Sequence, residues 1–421
     1  MMLRKAGGNW VDGDQFFDRD AELEALTERV KDGTHTLLTA QRRMGKTSLV
    51  RELLRRLKDE GCFETAFVDL EDARTKEDAI AEIASQSCSI QKVWRRIKTQ
   101  FANHLQNIGD KIDEVGVSEV KVKLRAGINP GDWRQRGDEV FTALAENDLP
   151  VVLAIDELPI LVNRLLKGDD YFITPERRQA VDEFLSWLRK NGQEHRGQVC
   201  LVLLGSVSLE PILQQAGLSA HANIFSPFDL KPWDEETASA CLAALAGAYD
   251  IELPLTVRQE MCRRLRCQIP HHVQQFFDNL HEYLRRADRR KASLEDVDRV
   301  YIAEMLGVRG QMDLEHYESR LRMVLGDKGY PTALDILTEA AVNDGLLHSD
   351  AINQYYEYFQ AEADPVSIKD ILSVLEHDGY LARQGDNYRF VSGLLEAWWR
   401  ARHDRHFVPI ARRQAKTRAK R

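Results

Sequence analysis

The segment Ala40-Gln41-Arg42-Arg43-Met44-Gly45-Lys46-Thr47 carries the residue types that bind a polyphosphate. It follows the phosphate-loop pattern Gly-x4-Gly-Lys-Thr, with Ala40 in place of the first glycine. Gly45 lets the backbone approach phosphate oxygens, and the N–H groups of the loop and of the first helical turn point at them, aided by the helix dipole. Lys46 supplies a point charge for the β- and γ-phosphates, and the Thr47 hydroxyl is a ligand for Mg²⁺. About a hundred residues later an apolar run ends in Ile155-Asp156-Glu157. Asp156 is the expected Mg²⁺ partner, and Glu157 the group that orients or deprotonates the attacking water. A third run ends in Leu203-Leu204-Gly205-Ser206. Ser206 is either a polar sensor of the γ-phosphate or the N-cap of the next helix. Asp69 ends a fourth run and reads as a turn cap.

These groups act together only if the runs that carry them lie side by side. Residues 35–40, 65–70, 149–155 and 199–204 are short and apolar, the mark of strands buried on both faces. Helical stretches separate them, which predicts a parallel α/β sheet. A helix is expected after Asp18, another from Thr47, and helical structure over 74–111. The alternation of Val117, Val120, Val122 and Leu124 predicts a strand of a hairpin over 117–124. From Trp233 to about Leu306 the pattern is all-helical. Residues 333–341, 349–359 and 366–379 read as three helices, the last ended by Gly379. Two short strands follow, over 380–383 and 388–391, a three-helix-and-wing arrangement. Trp398 and Trp399 read as core residues of a closing helix.

Composition and charge narrow the remaining possibilities. The chain has 421 residues, 43% hydrophobic and 30% charged, which suits two or three globular domains and excludes a disordered or fibrous chain. No apolar run approaches the ~20 residues that span a bilayer, so no membrane role is expected. The N-terminus has no apolar stretch of the signal-peptide kind, and the six cysteines form no CxxC pair. Both point to reduced thiols and a cytoplasmic location. The net charge is −9, unevenly spread. Residues 402–421 hold eight Lys or Arg and one acid, leaving −16 for the remainder. Such a basic tail is either a solvated terminus or a contact for nucleic acid (DNA included), anionic lipid or an acidic partner face. Within the third helix Lys369 stands against Asp370 and Glu376, a poor footprint for reading DNA, which favours an interaction role for that module.

Several motifs together resemble one family. Phe17-Asp18-Arg19-Asp20-Ala21-Glu22-Leu23 resembles the "GRExE" segment that precedes the phosphate loop in STAND and origin-recognition-like ATPases. The run from Gln41 to Leu49, with Ser48 after Thr47, resembles the "RRxGKTSL" form of the prokaryotic, archaeal-type ATPases of that clade. Leu204-Gly205-Ser206 resembles their strand-end "GS", and Ile269-Pro270-His271-His272-Val273-Gln274 their "(G)xPyyLq" lid segment. The resemblance implies an α/β fold: a P-loop NTPase, AAA+/STAND-like parallel-sheet core over 1–232, a helical lid over 233–310, and a C-terminal winged helix-turn-helix over 311–402. The basic tail is then 403–421. It also implies Phe17, Arg19 and Pro270 near the adenine, ATP with Mg²⁺ as cofactors, and slow, switch-like hydrolysis. It admits a nucleotide-dependent homo-oligomer, in which Arg177 or Arg178 is either an arginine finger for a neighbouring subunit or a surface arginine. The leading expectation is an ATPase switch with a protein partner. The alternatives are an ATP-dependent DNA-binding loader or regulator and a nucleotide-binding scaffold that does not hydrolyse.

Overall fold

The computed structural model describes residues 3–105, 117–360 and 367–413. The chain forms two compact units. One, the sheet unit, comprises Arg19–Thr39 and Lys46–Leu230; the other, the C-terminal unit, comprises Met1–Asp18, Ala40–Gly45 and Lys231–Arg421.

The sheet unit is built on five parallel strands: β1 (Thr36–Thr39), β2 (Glu64–Asp69), β3 (Val151–Asp156), β4 (Val199–Leu204) and β5 (Ser226–Asp229), in the order β2-β3-β4-β1-β5. Every residue of β3 and β4 is buried, as continuous apolar runs require when both faces of a sheet are covered. Helix α1 (Asp20–Lys31) precedes β1, and α2 (Lys46–Asp59) joins it to β2. Between β2 and β3 come α3 (Lys76–Gln86), α4 (Gln91–Gln100), α5 (Ala102–Leu105), α6 (Val117–Ala126) and α7 (Trp133–Ala145). Then α8 (Leu158–Lys167) and α9 (Pro175–Glu194) lead to β4, and α10 (Leu209–Gln215) follows it.

Two elements of the sheet unit differ from the expected pattern. Residues 117–124 are helical, not a hairpin strand: Val120 and Leu124 are buried one turn apart, while Val122, between them, is 68% exposed. The spacing that suggested alternation is the i, i+4 stripe of a helix. β5 was not expected at all, because its four residues include Pro227, a poor strand former. The part of the 74–111 expectation beyond residue 105 lies outside the described residues.

From Lys231 the C-terminal unit continues with α11 (Glu235–Ala248), α12 (Leu255–Leu265), α13 (Pro270–Arg286) and α14 (Leu294–Val300). A long helical stretch, α15 (Val308–Val342), is broken at Gly326, whose φ of 66° and ψ of −175° no helix contains. The expected helix at 333–341 is the second half of this stretch. Next come α16 (Ser349–Gln360) and α17 (Ile368–His377), with three antiparallel strands β6 (Leu346–Leu347), β7 (Leu381–Gln384) and β8 (Asn387–Phe390) in the order β6-β8-β7. Helix α18 (Gly393–His403) closes the module and buries Trp398 and Trp399 completely. In α17, Ser367 caps the N-terminus and Ile368, Ile371, Leu372 and Leu375 face the core, so the winged-helix-like reading of this module holds.

The described part of the expected tail, as far as Arg413, makes contacts within this unit. Ile410 is 1% exposed, and its N–H donates to Glu339 Oε2 at 3.0 Å. Arg413 makes a two-point contact with the Asp335 carboxylate, and Arg402 pairs with Glu315 and Glu318. Two of the eight basic side chains of residues 402–421, Arg402 and Arg413, are therefore paired with carboxylates within the fold. The remainder of the tail, from residue 414, lies outside the described residues. Among the described residues no helix is long and apolar enough to cross a membrane. All six cysteines are free thiols, and burial pushes those of Cys262 and Cys267 up to about 11.

Candidate phosphate site

Parallel strands all end on the same edge of a sheet, so residues just after β1, β3 and β4 converge there. β3 ends in Asp156, and the chain leaves β1 toward Lys46 and Thr47 at the start of α2. The Thr47 hydroxyl donates to Asp156 Oδ2 at 3.0 Å. The other carboxylate oxygen of Asp156 accepts the N–H of Glu157 at 2.9 Å. Asp156 is 8% exposed, and burial is the main cause that pushes its carboxyl up to about 6. The adjacent Glu157 charge adds to this, and the Thr47 hydrogen bond opposes it. Lys46 is equally buried.

Glu157 adopts a left-handed conformation, φ 58°, at the turn from β3 into α8. That is uncommon for a residue with a side chain and is seen mainly where surrounding contacts hold it. Here the hold is visible: Glu157 Oε2 accepts both the N–H of Ser206 at 2.9 Å and its hydroxyl at 3.0 Å. Gly205 makes this approach possible, since a Cβ there would lie 2.5 Å from Pro159 Cδ. Thr47, Asp156, Glu157 and Ser206 thus form one connected set of hydroxyls and carboxylates. Ser206 does not cap α10, whose N-cap is Ser208. Asp69 is exposed; its side chain accepts the N–H of Glu71 at 2.8 Å, the turn-capping arrangement expected.

The remaining residues singled out by sequence lie as follows. In the sheet unit, Arg19 is 6% exposed and donates to Glu22 Oε1 at 2.6 Å, and Ser48 lies in the first turn of α2, half-buried. In the C-terminal unit, Phe17 meets the Trp233 ring edge to face at 5.8 Å, and Pro270 is the first residue of α13. Met44 is buried, and Gly45 has φ 87°. Gln41, Arg42 and Arg43 all contact other parts of the C-terminal unit: Gln41 Nε2 donates to the Gly379 carbonyl at 2.7 Å, Tyr317 OH to the Arg42 carbonyl at 3.4 Å, and Arg43 pairs with Asp313 at 3.2 Å. Sequence reasoning missed Asp313, Tyr317 and Gly379, which stand some 270 to 338 positions along the chain from their partners. No local signal marks such pairs.

Arg177 has intramolecular work. Its guanidinium donates to the carbonyls of Lys167 and Phe172, at 2.9 and 2.8 Å, and pairs with Asp170. It fills the space beside Gly168 where a Cβ would stand. Arg178 reaches the Gly217 carbonyl at 3.3 Å.

The donor set suits a magnesium ion. Mg²⁺ takes oxygen ligands, needs only one or two from the protein, and keeps water and phosphate oxygens for the rest. Thr47 Oγ1 and Asp156 Oδ2 are hard oxygen donors already 3.0 Å apart. Among the described residues no cluster of three or more His, Cys, Asp or Glu makes a metal cage of protein ligands alone.

No protein-family model matches the sequence, and no curated protein matches it. Solved structures do. The Walker-type ATPase paby2304 of Pyrococcus abyssi superposes with a TM-score of 0.60 at 17% identity, covering 93% of this chain and 98% of its own. The ORC2 protein of Aeropyrum pernix, in its ADPNP–ADP complexes, gives 0.56 at 13% identity, covering 98% and 99%. At such identities the likeness speaks for the fold, over nearly the whole length of each chain. The chain has the AAA+-like P-loop fold of these archaeal proteins, a parallel-sheet core followed by a helical region and a winged-helix-like module.

Proposed function

We propose that this protein is a Mg²⁺-dependent ATP-binding and hydrolysing switch whose winged-helix module carries regulated contacts to a protein partner. The observation that carries the reading is the connected set Thr47, Asp156, Glu157 and Ser206 at one edge of the sheet. In this reading the backbone of residues 41–45 and the Lys46 ammonium bind the phosphates. Thr47 and Asp156 hold Mg²⁺, which when bound neutralises charge on the phosphate oxygens. Glu157 orients and deprotonates the attacking water, and the two hydrogen bonds from Ser206 aim its carboxylate. Ser206 doubles as the polar group that senses the γ-phosphate. Phe17 and Pro270 serve the base. The fold supports the reading: one protein that shares it is named a Walker-type ATPase, and the other was solved with ADPNP and ADP. An intact Lys46, Thr47, Asp156 and Glu157 set favours hydrolysis over a scaffold that only binds.

Phosphate release from ATP, with and without Mg²⁺, tests this. The wild type should turn over only with Mg²⁺. Glu157→Gln keeps the shape but removes the base, so turnover should fall by roughly 10²- to 10⁴-fold while nucleotide affinity stays within twofold. A wild type that binds ATP and never releases phosphate would move the protein to the scaffold reading.

A further inference from the structure

The phosphate loop of this chain is not self-supporting. The pattern's first glycine is Ala40. Arg43, inside the loop, has φ 69°, a strained left-handed conformation for a residue with a Cβ. What holds these residues is the C-terminal unit to which Ala40–Gly45 belongs.

Four contacts act on three consecutive residues. The amide of Gln41, 8% exposed, donates to the carbonyl of Gly379. Gly379 terminates the winged-helix element α17 with φ 75°, and a Cβ on it would lie 2.7 Å from Gln41 Cδ. The phenol of Tyr317, in the first half of α15, donates to the Arg42 carbonyl. The N–H of His271 donates to the Arg43 carbonyl at 3.4 Å. The Arg43 guanidinium pairs with Asp313 Oδ1, while Asp313 Oδ2 accepts from Gln275 Nε2 at 2.5 Å. Behind these, Tyr380 OH donates to the backbone carbonyl of Tyr317 at 2.7 Å. Tyr380 directly follows Gly379, so the end of α17 touches the loop twice, directly through Gln41 and indirectly through Tyr317.

We infer that Asp313, Tyr317 and Gly379 are positioning residues for the phosphate loop, holding Gln41, Arg42 and Arg43 in the shape that receives nucleotide phosphates. The inference rests on the nucleotide-binding reading above for its purpose and on the contacts for its geometry. None of the three residues needs to touch the nucleotide. Each acts on loop backbone or on a loop side chain, and any shift at the end of α17 is transmitted to the loop. Because coupling between two equilibria is reciprocal, bound nucleotide should in turn tighten these contacts.

Hydrogen exchange of the full nucleotide-free chain, read by mass spectrometry, tests the geometry independently of activity. Tyr317→Phe removes only the hydroxyl, and Asp313→Asn removes the charge at a partly exposed site, so one variant remains informative if the other folds poorly. In each, exchange over residues 41–45 should rise about three- to tenfold, the factor a single hydrogen bond or ion pair confers, with β3 unchanged. The affinity for Mg·ADP, measured by calorimetry, should fall by the same factor, and the double variant should fall further. Unchanged exchange in the loop overturns the inference. So does raised loop exchange with unchanged ADP affinity, or a rise spread evenly over β3 and the loop, which is a plain loss of stability. If the wild type binds no nucleotide while loop exchange still rises in the variants, the positioning geometry stands and the nucleotide-binding reading fails instead.

Discussion

Asp156→Asn should make the nucleotide-free protein more stable while disabling the proposed Mg²⁺ site. Asp156 is buried beside Glu157, and its carboxyl titrates at about 6 against a usual 3.8. The unfolded chain therefore gives up this proton first as pH rises. Between the two values the native state binds more protons, so stability is full below about 4 and is lost as pH rises through 6. A shift of about two units corresponds to roughly 3 kcal/mol at pH 8, an upper figure that partial exposure reduces. Asparagine removes the charge and can keep both partners, accepting from the Glu157 N–H and donating to Thr47 Oγ1. For a unit of this size each kcal/mol is worth roughly 2–4 °C in Tm, so a gain of several degrees is expected. Thermal melts of both proteins at pH 8 and pH 5 give the assay. The gain should be largest at pH 8 and fall to roughly half at pH 5, where the folded carboxyl is protonated but the unfolded one is already ionised. A variant less stable than the wild type at pH 8, or a gain of equal size at both pH values, would refute the reasoning.

His35 should produce the opposite trend in the Asp156→Asn background. Burial lowers its pKa; its Nδ1 accepts the Leu201 N–H at 3.0 Å and its Nε2 meets the Gly192 carbonyl at 2.9 Å, a neutral ring by geometry. A lowered histidine contributes stability above the usual 6.5 that is lost as pH falls below it; urea midpoints at pH 7.5 and 5.5 should show the loss. Gly137→Ala should destabilise by about 2 kcal/mol, an overpacking cost less the gain in helix propensity. The added Cβ would overlap the Trp187 ring and lie 2.9 Å from Ile80 Cδ1, and Trp187 is fixed by its hydrogen bond to Asp138; a chemical denaturation midpoint equal to wild type would count against this.

Much of the sheet unit was legible because its signals are local. β1 to β4 are short apolar runs, and Lys46, Thr47, Asp156, Glu157 and Ser206 follow directly from three strand ends. Parallel pairing alone brings them to one edge. The convergence of Ser206 on Glu157 was not legible, since it depends on the left-handed turn at Glu157 and on the small residue at 205. Residues 117–124 misled because three valines and a leucine spaced by two and three satisfy both periods, and only burial of Val120 and Leu124 decides between them. The break of α15 at Gly326 and the four-residue β5 give too little pattern to read. The contacts of Gln41, Arg42 and Arg43 with Gly379, Tyr317 and Asp313 join residues hundreds of positions apart, and no propensity encodes them. The pairing of Arg402 and Arg413 with carboxylates was likewise not legible in the charge count, because those partners stand far along the chain.

Calorimetric titration of Mg·ATP and Mg·ADP into the wild type and Lys46→Ala most directly tests whether this chain is a nucleotide-binding switch. Saturable one-to-one binding to the wild type is expected. In the variant, removing one charge-assisted contact should weaken binding at least roughly thirtyfold, with the melting temperature of the nucleotide-free protein preserved. Equal affinity in the two proteins, or no binding to the wild type at all, would contradict this reading.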